Sequence, residues 1–371
     1  MNIRPATRYK LGVALEFGII FQVQTLLFYL IYVLTGPVDD GKVEISVDLR
    51  LFMAASLGLI IGLVEEFLLR NRLKRLPFIS ALLLKTGIYT LLMVITIPVL
   101  AIVGKIALDL LITDIGLAGV VSCAPTILGT PLLMGQMFMF FAMITFLTLS
   151  VNQIQKFVGP GRLVSYVTGK YNHATWEDYI LMFVDLKAST SLSEELDTLT
   201  YSDFISDFID DITEAIYTFH GRIYQYVGDE VIVYWRLDKR KKKNARPLHC
   251  FVRMMDMIEE RAPYYREKYG MLPQFKAGLH GGRIVVKEVG ELKKEIAFHG
   301  NPINTTSRIQ TLCNDRNTNF LMSEYILERV ELLPHYTAFS EGKFNLKGKK
   351  ELIELFRVER ISQTKKQAQP S

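Results

Sequence analysis

The chain has 371 residues, half of them hydrophobic, and a formal net charge of +5. That length holds one large or two ordinary domains, and so small a basic excess gives no support to nucleic acid as a partner. Three cysteines (Cys123, Cys250, Cys313) and six histidines stand without pairing or ligand spacing, which argues against a disulfide framework or a zinc site.

The apolar excess is concentrated in the N-terminal half. Four stretches reach the roughly 20 residues that an apolar helix needs to cross a bilayer. They run from Leu11 to Leu34, Leu51 to Leu69, Phe78 to Val103 and Ile127 to Leu149. Arg4, Arg8 and Lys10 precede the first stretch, and Arg70, Arg72, Lys74 and Arg75 follow the second, so both places read as cytoplasmic. The acidic loop with Asp39, Asp40, Glu44 and Asp48 reads as external, and Ala107 to Val121, broken by Asp109 and Asp114, as external or re-entrant. Glu65, Glu66 and Lys85 lie near span ends and are expected to snorkel to an interface. The expectation is a multi-pass protein of the plasma (inner) membrane, embedded in the lipid bilayer, with both termini cytoplasmic.

Residues 1–151 therefore read as a transmembrane domain and 152–176 as a linker. Gly159, Pro160 and Gly161 interrupt the last span, and Arg162 to Tyr171 suits a short amphipathic helix, either a transducing element or a spacer. Residues 177–360 read as a soluble domain and 361–371 as a polar tail expected to be disordered. Tyr179 to Asp185 predicts a buried strand, and Ser191 to Leu196 opens a helical stretch. Phe204, Phe208, Ile212 and Ile216 mark a helix over Tyr201 to His220. Arg222 to Val227 and Glu230 to Trp235 flank Gly228-Asp229 and predict a hairpin. Lys239 to Lys243 reads as a solvated loop, and Pro247 to Tyr269 as a helix.

Two strands, Phe275 to Leu279 and Arg283 to Val289, are expected to join through Gly281-Gly282. Ile303 to Cys313 predicts a helix, Asn319 to Ser323 a strand and Glu324 to Val330 a helix. Strands near Thr337 to Phe339, Lys343 to Leu346 and Ile353 to Val358 close the chain. The order begins β-α-β-β-α-β, so the fold class expected is an α-helical membrane domain of four transmembrane helices followed by an α+β ferredoxin-like domain.

Four motifs carry the chemistry: Phe183-Val184-Asp185-Leu186-Lys187-Ala188-Ser189-Thr190, Tyr226-Val227-Gly228-Asp229-Glu230, Gly300-Asn301-Pro302-Ile303-Asn304-Thr305-Thr306-Ser307-Arg308, and Leu346-Lys347-Gly348-Lys349. In order and spacing they resemble the successive signatures of class III adenylyl and guanylyl cyclases. The resemblance covers about residues 175 to 360. It implies a catalytic domain that turns ATP, or alternatively GTP, into a cyclic nucleotide and pyrophosphate.

Such a reaction needs charge stabilisation and positioning more than covalent chemistry. Two hard cations, magnesium or manganese, about 3.5–4 Å apart can clamp the attacking and leaving oxygens, and carboxylates hold such ions. Asp185 at a strand end and Asp229 in a turn are placed to do so, although a helix cap and a turn former are the plainer roles. The resemblance adds the backbone carbonyl of Leu186 to the metal set.

Ser189 and Thr190 lie at a helix start, where free N–H groups hold phosphate, or they simply cap that helix. Asn304 and Arg308, four apart, share a helix face. The resemblance implies that Asn304 orients the ribose, that Arg308 stabilises the pentavalent phosphate and that Lys347 contacts phosphate; plain surface roles are the alternative. It assigns base recognition to Gln225 and Ala297. Neither residue is of the usual adenine type, nor is Gln225 the guanine-type glutamate, and an amide can read either purine. The chain carries each motif once, so the resemblance implies a homodimer with shared sites. A degenerate, nucleotide-binding sensor domain is the rival reading. A diguanylate cyclase is disfavoured because its Gly-Gly-acidic-Glu-Phe signature is missing from the hairpin.

Overall fold

The computed structural model describes residues 56, 58–65, 76–92, 131–159, 162–332, 334–346 and 352–360, with isolated positions at 19, 23, 69, 73 and 95. The chain divides into two compact units, residues 1–157 and 158–371.

The first unit is helical where described. Helical backbone covers 58–64 and 78–92, and helix α1 runs from Pro131 to Val158. Among the described residues no helix is long and apolar enough to cross a membrane. The first expected crossing, the Gly36 to Asp48 loop and the Ala107 to Val121 segment lie outside the described residues, save for positions 19 and 23. The described helices show an inverted polarity. Leu59, Ile79, Leu83, Leu91, Met139 and Leu147 are exposed, whereas Glu65, Lys85 and Tyr89 are buried. The Lys85 ammonium pairs with one carboxylate oxygen of Glu65, and the Tyr89 hydroxyl donates to the other. This corrects the snorkelling expected of Glu65 and Lys85: each neutralises the other inside the unit, so neither needs to reach water.

The second unit begins with helix α2 (Arg162–Val167), which matches the expected linker helix. Strand β1 (Thr175–Leu186) follows, then α3 (Ser189–Glu195) and α4 (Thr198–Thr218). The hairpin is β2 (Arg222–Val227) and β3 (Glu230–Arg236). Three helices come next: α5 (Lys241–Asn244), α6 (Arg246–Glu260) and α7 (Ala262–Tyr269). The rest is β4 (Phe275–Val289), β5 (Glu295–His299), α8 (Asn301–Asp315), β6 (Phe320–Ser323), α9 (Glu324–Leu327), β7 (Tyr336–Phe344) and β8 (Ile353–Arg360). The sheet order is β2-β3-β1-β4-β6-β8-β7, with β5 paired to β4. The first four strands are antiparallel neighbours in the order of a ferredoxin-like core, as the element order predicts.

Alternation along β1 builds two layers, because successive side chains point to opposite faces. Ile180, Met182 and Val184 pack with Phe204, Phe208 and Ile212 of α4 and with Phe251 and Met254 of α6. Tyr179 and Leu181 join Tyr234, Ile284, Val286 and Phe298 in a cluster of their own. Helix α8 covers a further patch, where Ile309 and Cys313 meet Leu321, Leu346 and Leu355.

Several element boundaries differ from expectation for identifiable reasons. The Lys239 to Lys243 loop gives way to a helical turn, because buried Asn244 donates to Asp238 O at 2.8 Å and Arg329 O at 3.0 Å. The helix expected from Pro247 to Tyr269 breaks at Arg261, where Pro263 starts α7 without an N–H to continue the ladder. Gly281-Gly282 makes no turn, since β4 runs straight through. A Cβ at Gly281 would lie 2.9 Å from both Ile326 Cδ1 and Tyr179 O, so this glycine admits close neighbours rather than bending the chain. The strands expected at Thr337 to Phe339 and Lys343 to Leu346 become one strand, β7, which bulges between Ser340 and Gly342 and ends at Phe344. Strand β5 was not expected.

Candidate active site

Strand β1 carries Asp185 to its end, directly across from Lys276 of β4. The β2–β3 turn brings up Asp229, and Gly228 takes φ +64, a conformation that costs glycine little. Burial raises the Asp185 pKa, the charge of Asp229 raises it further, and Lys276 opposes both. Glu230 is pushed up to about 7, first by burial and then by the charges of Asp185 and Asp229. Tyr201 is raised by burial and then by the same two aspartates.

Three carboxylates thus share one neighbourhood with a single buried lysine, whose Nζ lies 3.1 Å from Asp185 Oδ2. Gln310 Nε2 donates to that same oxygen at 2.7 Å. Asp229 Oδ2 is buried and accepts no hydrogen bond among the described residues. Leaving a buried carboxylate oxygen without a partner is costly. An oxygen held in this way suits a divalent cation. No group of three His, Cys, Asp or Glu side chains able to hold a metal ion occurs among the described residues. The carboxylates that this neighbourhood offers are few. They fit an ion such as magnesium, which keeps several waters and binds through one or two carboxylates plus substrate phosphates. The Leu186 side chain is buried in the core, so only its carbonyl is available for such a role.

Ser189 and Thr190 occupy the first two positions of α3, not its cap. The cap is Ala188, at φ 56, and no side chain bonds to the helix end there. That corrects the capping role for both residues.

Helix α8 carries Asn304 and Arg308 one turn apart, as expected; Asn304 is exposed and Arg308 half-buried. Arg308 lines a cavity of about 240 Å³ with Thr311, Leu312, Phe344, Asn345 and Leu346. Lys347, the next residue along the chain, lies outside the described residues. Among the described residues neither Asn304 nor Arg308 makes a hydrogen bond or ion pair with Asp185 or Asp229.

Gln225 is exposed on β2 and Ala297 half-buried on β5. Their neighbours are clamped together. Tyr224 stacks on Phe298 at 4.2 Å between centroids, and the Phe298 N–H donates to the Tyr224 hydroxyl at 3.2 Å. The linker helix reaches the same point, for Arg162 Nη2 donates to Tyr224 O at 3.0 Å. A larger cavity of about 350 Å³, which includes Lys170, Glu177 and Arg236 in its lining, forms at the start of β1 and touches neither aspartate.

Sequence reading missed Lys276, Gln310 and the Tyr224–Phe298 stack. Only the β1–β4 register could have pointed to Lys276. Gln310 sits two positions beyond Arg308, off the face that the motif defines.

A family model described as the adenylate and guanylate cyclase catalytic domain matches residues 172–359. Adenylate cyclase 2 of Rhizobium meliloti (strain 1021) is 30% identical over 199 residues, covering 54% of this chain and 54% of that protein. The adenylate cyclase of Anabaena cylindrica is 23% identical over 222 residues, covering 56% of this chain and 43% of that protein. The chain thus spans about half the length of these curated relatives. Among solved structures, the adenylyl cyclase CyaB from P. aeruginosa aligns at 16% identity and a TM-score of 0.44, over 52% of this chain and 98% of that one. A bacterial light-regulated adenylyl cyclase aligns at 16% identity and a TM-score of 0.49, over 59% of this chain and 63% of that one.

Proposed function

The chain belongs to the adenylate and guanylate cyclase catalytic domain family, and on that premise we propose that it converts ATP to cyclic AMP and pyrophosphate in a homodimer with shared sites. The observation that carries this reading is the pair Asp185 and Asp229, with a buried Asp229 oxygen that no donor among the described residues satisfies.

In the proposed reaction the ribose 3′-oxygen bonds to the α-phosphorus. The bond from that phosphorus to the bridging oxygen breaks, and pyrophosphate and one proton leave. Asp185, Asp229 and the Leu186 carbonyl would hold two divalent ions, magnesium or manganese, which supply positive charge to the reacting phosphate and hydroxyl when bound. Lys276 neutralises part of the carboxylate charge while the site is forming. Asn304 orients the ribose. Arg308, a planar and permanently charged donor, stabilises the charge that builds on the phosphate in the transition state.

Among the described residues Asn304 and Arg308 make no hydrogen bond or ion pair with Asp185 or Asp229; in the proposed homodimer a second copy supplies them. A two-fold pair made in this way gives two equivalent sites. Lys347 is assigned to phosphate by the resemblance of its motif alone.

Two finer parts of the reading have separate support. ATP is favoured because the curated relatives are named adenylate cyclases. GTP is the second reading, left open by Gln225 and Ala297, which lack the usual adenine-reading side chains. Membrane anchoring of the first unit is supported by the apolar stretches of its sequence and by exposed leucines and isoleucines around a buried Glu65–Lys85 pair. On that reading the unit places the second unit at the cytoplasmic face of the plasma (inner) membrane.

The test is turnover of radiolabelled ATP and GTP by the purified full chain with manganese. Cyclic AMP from ATP in excess over cyclic GMP from GTP supports the proposal. The reverse preference selects the guanylyl reading, and no cyclic product from either refutes both.

A further inference from the structure

We propose that Gln310 is a positioning residue: it holds the Asp185 carboxylate by one oxygen so that the other faces the metal, and it ties the helix bearing Asn304 and Arg308 to that carboxylate. The inference rests on the cyclase reading above and extends it to a residue outside the four motifs.

Gln310 is 4% exposed, so water does not compete for its amide. Its Nε2 donates to Asp185 Oδ2 at 2.7 Å, and the Lys276 ammonium meets that same oxygen at 3.1 Å. With both donors on Oδ2, the carboxylate cannot turn without losing a bond, and Oδ1 is the oxygen left for a cation. The two donors divide the work. Lys276 offsets charge, but an ammonium on a flexible stem fixes direction poorly. A glutamine amide adds direction and leaves the net charge of the site unchanged. Partners of this kind behind a ligand tune metal affinity by setting the ligand's orientation.

The anchor has no slack. A Cβ at Gly278 would stand 2.4 Å from Gln310 N and 2.7 Å from its Cα, so the α8 backbone at Gln310 rests directly on β4. Asn304 and Arg308 lie on the solvent-accessible part of the same helix. In a shared-site dimer, α8 would therefore serve one site through Asn304 and Arg308, and the metal carboxylate of the other through Gln310. Nucleotide bound at one site and metal bound at the other would bear on one rigid element.

The experiment compares the wild-type full chain with Gln310→Met, which keeps the stem and loses the amide, and with Gln310→Asn, which keeps the amide and loses the reach. Manganese binding is read without nucleotide from the paramagnetic resonance signal of the free ion. Turnover is then measured against manganese at saturating nucleotide. Both variants should bind manganese about tenfold more weakly. Half-maximal turnover should need correspondingly more metal, with nucleotide KM at saturating metal within about twofold of wild type. Unchanged manganese affinity in a folded variant would overturn the inference. Loss of nucleotide KM with intact metal binding would do so as well. Absence of turnover in the wild type would instead defeat the cyclase reading, while the metal titration still reports on Gln310.

Discussion

Replacing Gly278 with alanine tests whether the packing of α8 on β4 sets the active geometry. The added Cβ would stand 2.4 Å from Gln310 N, whereas ordinary contact begins near 3.4 Å. The obstacle is backbone, so no side chain can swing aside. Helix α8 must retreat by about 1 Å or the strand must bow. Overpacking of this kind typically costs about 1–3 kcal/mol. For a domain of this size that amounts to a fall of roughly 2–12 °C in melting temperature. The functional effect should exceed the loss of fold, because α8 carries Asn304, Arg308 and Gln310, and a 1 Å misplacement can cost about a hundredfold in rate. Calorimetric melting and cyclic nucleotide formation, measured on one preparation, supply the two numbers. Wild-type melting together with wild-type turnover would show that α8 does not rest on β4 as described.

Three further outcomes follow from the site and the core. Asp229→Asn should abolish turnover yet raise the melting temperature without metal, because an amide relieves an unpartnered buried charge worth on the order of 1 kcal/mol; a lower melting temperature would count against the orphaned oxygen. Arg308→Ala should lower kcat by about 10²–10³-fold with a smaller change in KM, whereas a pure KM effect would make Arg308 a ground-state binding residue.

Asp207 governs an acid limb of stability. Burial alone would raise its pKa, but bonds to its Oδ2 from Tyr269 at 2.6 Å, Lys268 at 2.9 Å and Tyr264 at 2.7 Å outweigh burial and hold it below the usual carboxylate value. A depressed pKa gives stability that is present above the unfolded value, near 3.9, and lost as pH falls through the folded one. The melting advantage of wild type over Asp207→Asn should therefore be full at pH 5–6 and vanish in strong acid. An advantage that grows on acidification would reverse the sign.

Local pattern explains what the sequence revealed. The unbroken apolar run from Tyr179 to Val184 and the 3.6-residue period from Phe204 to Ile216 are written into consecutive residues, so β1 and α4 were legible, as was the Gly228-Asp229 turn. The ferredoxin-like order followed from element order alone. Long-range contact explains what stayed hidden. Gly281-Gly282 looks like a turn until Ile326 and Tyr179 are seen crowding Gly281. Strand β5 is only five residues long and depends on pairing with β4. The motifs named Asp185, Asp229, Asn304 and Arg308, but Lys276 becomes part of the site only through register and Gln310 only through the seating of α8. Glu65 and Lys85 were misread because a helix end near an interface gives no hint of a partner on the neighbouring helix.

The shared-site claim is tested most directly by pairing two inactive chains. An Asp229→Ala chain lacks the metal half of the site and an Arg308→Ala chain lacks the phosphate half. Co-expressed and purified together, they should recover about a quarter of the wild-type rate if copies pair at random, because each mixed dimer holds one intact site. A mixture no more active than either variant alone would contradict the account.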